Sequence, residues 1–115
     1  MKVYGIPNCN TVKKAVTWLN DHDLAFEFQD FKKKGITAEK LNQWCDRFGW
    51  ETVLNKKGTT WKKLSPEEQS LVVDQASAVA VMLANTSSIK RPIVEVDERP
   101  VLISFNEEAY AAELR

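Results

Sequence analysis

The chain has little of what several protein classes require. Only two of its 115 residues are cysteine, Cys9 and Cys45, too few for a disulfide framework, so a reducing, cytoplasmic setting is expected. The single histidine, His22, and the lack of any Cys/His cluster at ligand spacing give no reason to expect a metal. No apolar run approaches the ~20 residues of a membrane span. The first residues lack a long apolar stretch, so neither a secretory leader nor a membrane partner is expected. Glycine is scarce, at four residues, and none builds a phosphate-cradling loop. There is no C-x-x-C: the residue three after Cys9 is Val12, which removes the simplest dithiol oxidoreductase. Net charge is missing too, 16 basic residues balancing 16 acidic ones, which argues against nucleic acid as a partner.

What is present fits one soluble domain spanning residues 1–115, with 43% hydrophobic and 28% charged residues; a monomer is expected. The neutral total hides a split: residues 1–64 carry 12 basic and 7 acidic side chains, residues 65–115 carry 4 and 9.

The periodicities predict a strand at Lys2 to Gly5, a turn at Pro7-Asn8, and a helix from Thr11 to about His22 with Val12, Ala15, Val16 and Leu19 inward. Asn8, Asn10 and Thr11 are its candidate caps. Leu24 to Gln29 reads as a second strand, parallel to the first because a crossover helix joins them. A helical stretch follows. Thr37 caps a helix carrying Leu41, Trp44, Cys45 and Phe48, and Gly49 stops it. Single turns are expected at Glu51 to Leu54 and Trp61 to Leu64, flanking a basic loop, Asn55 to Thr60. Ser65-Pro66-Glu67-Glu68 is a capping box, opening a helix that runs to the mid-70s with Leu71 and Val72. Ser77 to Asn85 continues helical with Val79, Met82 and Leu83 inward. Ile93–Val96 and Val101–Ser104 form a hairpin about Asp97 to Pro100, and Asn106 caps a last helix. The order is β-α-β, a helical block, then β-β-α: an α/β fold.

Cys9 is the most informative position. A cysteine at a helix N-terminus meets unpaired backbone N–H groups and the positive end of the helix dipole, and both favour the thiolate. A free thiol near pKa 8.5 is a few per cent ionised at neutral pH, whereas such sites bring it to roughly 3.5–7.5. Asn8, Asn10 and Thr11 can add hydrogen bonds, and Lys13 or Lys14 positive charge. Cys45, on an apolar helix face beside Trp44 and Phe48, reads as a core residue; a Cys9–Cys45 disulfide stays open. A lone reactive cysteine takes its second thiol from elsewhere, and glutathione is the natural donor. His22, at the far end of its helix, reads as a surface residue rather than a catalytic partner.

Three segments together resemble one family. Val3-Tyr4-Gly5-Ile6-Pro7-Asn8-Cys9-Asn10-Thr11-Val12-Lys13-Lys14-Ala15, then Leu54-Asn55-Lys56-Lys57-Gly58-Thr59-Thr60-Trp61, then Ile89-Lys90-Arg91-Pro92-Ile93 are similar to the arsenate reductase/Spx family, most closely its small YffB-like subgroup. The resemblance implies a thioredoxin-like fold: a mixed four-stranded sheet with a helical insertion over about residues 37–88, between its two halves. It also implies that Cys9 is the nucleophile, Arg91 the arginine beside it, and Pro92 the cis-proline of the fold. In arsenate reductases three arginines hold the oxyanion, and glutathione with glutaredoxin completes the reduction. Here the regions of the other two are Asn55-Lys56-Lys57 and Ser104-Phe105, without arginine, and lysine lacks the guanidinium fork. Spx regulators carry a C-x-x-C switch, which Val12 interrupts. The expected activity is therefore a glutathione-dependent thiol oxidoreductase. Cys9 and Arg91 are its catalytic residues, and Asn8, Asn10, Thr11, Lys56, Lys57 and Pro92 bind substrate. Glutathione is the co-substrate and glutaredoxin a candidate partner. Arsenate reduction at an altered anion site and a non-enzymatic, RNA polymerase-binding role stay open as alternatives.

Overall fold

The computed structural model describes residues 1–115, which divide into two compact units. The first, Met1–Lys34 with Arg91–Arg115, holds the sheet. Strand β1 (Lys2–Gly5) leads to helix α1 (Asn10–Asp21), then β2 (Glu27–Asp30) and a short α2 (Phe31–Lys34). The chain returns as β3 (Ile93–Val96), β4 (Arg99–Ile103) and α8 (Glu107–Leu114). The strand order is β2-β1-β3-β4. β1 and β2 are parallel, as the crossover requires, while β1–β3 and β3–β4 are antiparallel. This mixed sheet gives the thioredoxin-like α/β fold.

The register explains the core. Val3 lies opposite Val94, and Val94 opposite Leu102, so the three share one sheet face. Ala15, Trp18 and Leu19 of α1 and Tyr110 of α8 close over that face. Each large apolar side chain buried there contributes roughly 1.5–3 kcal/mol. Pro100, which removes a ladder donor, falls on edge strand β4, where a missing N–H is tolerated.

The second unit, Gly35–Lys90, contains α3 (Ala38–Phe48), α4 (Trp50–Val53), α5 (Thr59–Lys62), α6 (Pro66–Ser70) and α7 (Gln75–Ala84). Thr37 caps α3 by accepting from the Lys40 amide at 3.1 Å, and Gly49 ends it at φ 89°, in the left-handed region. The Ser65/Glu68 box starts α6, and Asp74 with Ser77 forms a second box at α7. Leu41, Trp44, Val53, Leu54, Met82 and Ile89 are all buried. Cys45 is buried among them, as expected, and burial, with Asp46 adding to it, pushes its thiol up to about 11.

Several boundaries differ from expectation. The cap of α1 is Cys9 itself, whose backbone is extended (φ −141°, ψ 125°), rather than Asn8, Asn10 or Thr11. β2 starts at Glu27, because Asp23 turns the chain at positive φ and the first bond to β1 runs from the Glu27 amide to Met1 O. The turn expected at Trp61 to Leu64 begins earlier, at Thr59. The helix expected to run to the mid-70s ends at Ser70, leaving Leu71 68% exposed; the β-branched pair Val72-Val73 then leads into Asp74, which caps afresh. Leu83 is 40% exposed, since it lies one position past Met82 and about 100° round the helix from it. The hairpin loop is tighter than expected, two residues, Asp97 and Glu98.

Candidate active site

Cys9 stands at the carboxyl end of β1, as the N-cap of α1. Its carbonyl accepts the Lys13 amide at 2.9 Å, the first bond of the helix. Its half-buried thiol therefore occupies the place a serine or aspartate cap would take, and the side chain makes no capping hydrogen bond. An N-cap position lies beside the free amides and the positive end of the helix dipole. No acidic residue occupies the first turn of α1, whereas α3, α4, α6 and α8 all carry one there. The positive end of α1 is left uncompensated.

Gly5 lets α1 approach β1. A Cβ at Gly5 would meet Val12 Cγ2 at 2.9 Å. Val12, at the position a C-x-x-C motif would give to its second thiol, is 2% exposed.

The antiparallel register sets Tyr4 opposite Ile93. The chain entering β3, Arg91-Pro92, therefore runs beside the chain leaving β1 toward Cys9. The Arg91–Pro92 bond is cis. Pro92 is buried and its carbonyl accepts the Ser104 amide at 2.8 Å. Ser104 sits at φ 62°, and its own carbonyl accepts the Tyr110 hydroxyl at 2.6 Å. Tyr110 is wedged edge-on against Trp18 and Phe105. Arg91 is half-buried, with its Nε out of solvent, and is engaged by surrounding groups.

The first unit thus gathers Cys9, Arg91 and Pro92 at one end of the sheet, with Asn8 and Asn10 exposed and Thr11 half-buried about the cysteine. Lys56 and Lys57 belong to the second unit. There the Lys56 ammonium lies over the Trp50 and Trp61 rings, 5.3 and 5.5 Å from their centroids. Both lysines line a cavity of about 260 Å³ with Glu51, Asn55 and Lys90. His22 caps the far end of α1, stacked on Trp18 at 3.9 Å with Nδ1 2.8 Å from the Trp18 carbonyl; it is structural. The Ser104–Tyr110 brace on Pro92 and the close approach at Gly5 escaped the sequence reading. The one signal for the brace was the placement of Ser104 at the end of an expected strand, just before the Asn106 cap.

Comparison with known proteins agrees with this geometry. Residues 4–113 match the model of the ArsC family. A Haemophilus influenzae protein of uncharacterized function is 42% identical over 110 residues, covering 96% of this chain and 95% of its own. The global transcriptional regulator Spx of Streptococcus agalactiae is 28% identical, over 92% of this chain and 77% of its own. Among solved structures, the YffB protein superposes with a TM-score of 0.93 at 46% identity, over 99% of this chain and 98% of that one. An arsenate reductase (ArsC) related protein from Brucella melitensis gives 0.76 at 42% identity, over 99% and 93%. A cysteine at the N-cap of the helix after β1, a proline entering β3 at the same end of the sheet and a family match over nearly the whole length converge: the chain belongs to the ArsC family.

Proposed function

We propose that this protein is a cytoplasmic, monomeric, glutathione-dependent thiol oxidoreductase whose nucleophile is Cys9. The observation that carries the reading is a half-buried cysteine at the N-cap position of a helix whose first turn holds no acid, with a buried Val12 in place of a second thiol. Cys9 thiolate attacks the glutathionyl sulfur of a mixed disulfide between a substrate thiol and glutathione. A Cys9–glutathione disulfide forms and the substrate leaves as its thiolate. A second glutathione thiolate attacks the glutathionyl sulfur, releasing oxidised glutathione and restoring Cys9. One glutathione thiol is thereby oxidised and the substrate sulfur reduced to the thiol, while the glutathionyl sulfur stays at the disulfide level throughout. Arg91 stabilises the anionic sulfur and pairs with a glutathione carboxylate, and the backbone beside Pro92 pairs with the glutathione peptide as an added strand.

The test follows the rate at which a thiol reagent modifies Cys9 as pH falls, in the native protein and in Arg91→Ala, alongside glutathione-coupled turnover. Reactivity should exceed that of a cysteine in an unstructured peptide at the same pH. It should weaken in Arg91→Ala, and turnover should vanish in Cys9→Ser. A Cys9 that behaves as an ordinary thiol would sink the proposal.

A further inference from the structure

The sheet unit carries nine basic and ten acidic side chains, unevenly placed. β1 and β2 are parallel, so both end where Cys9 stands, and α2 follows β2 at that same end. Its lysines, Lys32, Lys33 and Lys34, are all exposed, as are Lys13 and Lys14 on the first turn of α1. The one carboxylate among them, Asp30, is turned onto the backbone, accepting the Lys32 and Lys33 amides at 3.0 and 3.1 Å. Glu107 and Glu108 also lie at this end on α8, and Glu107 lines a separate pocket with Lys13, Lys14 and Asp21, which leaves α2 as the more strongly basic element. Asp23, Glu27, Asp97 and Glu98 gather at the far end of the sheet.

Between α1 and the exposed edge of β2 runs an apolar groove of about 430 Å³, lined by Pro7, Val12, Lys13, Val16, Thr17 and Phe28. Pro7 lies two residues before Cys9, and Val12 and Lys13 belong to the turn that Cys9 caps. This volume admits a large side chain and exceeds what a glutathione methylene needs. Lys13 lines the groove and Lys32 to Lys34 follow β2 at the same end of the sheet, so negative charge is favoured next to that side chain.

We propose that this groove and its lysines dock the macromolecular substrate of Cys9: a protein segment with an apolar residue beside its oxidised sulfur and acidic residues flanking both. The apolar residue enters the groove between Val16 and Phe28, and the acids face Lys13 and Lys32 to Lys34. Nucleic acid suits the site less well, because phosphates would gain nothing from the groove and would be repelled from the acidic far end. The proposal rests on Cys9 being the nucleophile only in naming what the segment carries; the docking itself needs no chemistry.

The test titrates isotope-labelled Cys9→Ser protein, monitored by amide NMR, with a peptide bearing a central serine, an adjacent leucine and flanking glutamates. Amides of Lys13, Val16, Phe28 and Lys32 to Lys34 should shift and saturate at roughly tenfold lower concentration than with the lysine-for-glutamate peptide. High salt should close that gap. Lys32→Glu/Lys33→Glu/Lys34→Glu, folded by its amide spectrum, should lose the preference. Equal saturation by both peptides, shifts confined elsewhere, no shifts, or tighter binding of a single-stranded oligonucleotide would each overturn the proposal. Turnover by the unsubstituted protein is measured separately. An inert Cys9 alongside the expected shifts would remove the functional reading and leave the docking surface standing.

Discussion

The two cysteines show how position decides the chemistry of one side chain. Cys9 caps a helix and is half-buried; Cys45 is 2% exposed and burial pushes its thiol up to about 11. Under native conditions near neutral pH a thiol reagent should therefore label one sulfur, and mass spectrometry should place it on Cys9. The second label should appear only in denaturant; two labels at equal rate in the folded protein would contradict this. The brace behind Pro92 makes a second prediction. Tyr110→Phe deletes the hydroxyl that holds the Ser104 carbonyl and should cost about 1–2 kcal/mol in a denaturant titration. Because Ser104 in turn holds Pro92, the variant should also slow the turnover proposed for Cys9, whereas a purely structural tyrosine would lower stability alone. The placement of Cys9, Arg91 and Pro92 at one end of the sheet was legible in the order of the elements and in the motifs that resemble the family. Ser104 and Tyr110 were not, since a common serine acquires its role only through a positive φ and a contact with the next helix.

At the scale of the element, the strands and helices with strong punctuation were legible. Thr37, Gly49, the Ser65 box and Asn106 are caps that state their own purpose. The errors lie where short elements compete: α2 hides in a lysine run whose cap is Asp30, and α6 stops before an apolar pair that periodicity alone would have kept. The β3–β4 loop offers a further prediction. Asp97 and Glu98 sit at φ 53° and 63°, the pair of left-handed residues of a type I′ turn, where Asp-Gly is preferred. Glu98→Gly relieves a side chain held at positive φ and should raise stability by roughly 0.5–1 kcal/mol, read as a higher thermal midpoint. Gly5→Ala should act in the opposite sense. Its Cβ would meet the stiff Val12 side chain at 2.9 Å, so α1 must shift. Both thermal stability and the rate of Cys9 modification should fall together, because the displaced turn is the one Cys9 caps.

For the molecule as a whole, a balanced charge count concealed a polarised sheet unit, and only the strand directions turned a lysine-rich sequence into a basic end. Burial of neutral acids is the other whole-molecule property, and it sets the alkaline limit. Both tyrosines of the chain are held protonated. Tyr4 is pushed up to about 12 by burial, then by the Glu95 carboxylate to which it also donates a hydrogen bond, and by Glu27 and Glu98. Tyr110 is pushed higher still by burial alone, and Cys45 is raised in the second unit. In the unfolded chain these groups ionise near their ordinary values, about 8.5 for the thiol and 10 for the phenols. Below that range both states hold the same protons and these groups do not alter stability. As pH rises through it, the unfolded chain loses protons that the native one keeps. The slope of stability against pH is then negative, and the contribution is lost progressively up to the folded values of the three groups. Phenolate absorbance should therefore stay low in the native protein at about pH 10.5, where denatured protein already shows most of it, and should rise together with loss of helical circular dichroism. A step of half the total phenolate signal centred near pH 10 with the fold intact would mean that one tyrosine is not held as described. Tyr4→Phe would then identify which, by removing either the early signal or the late one.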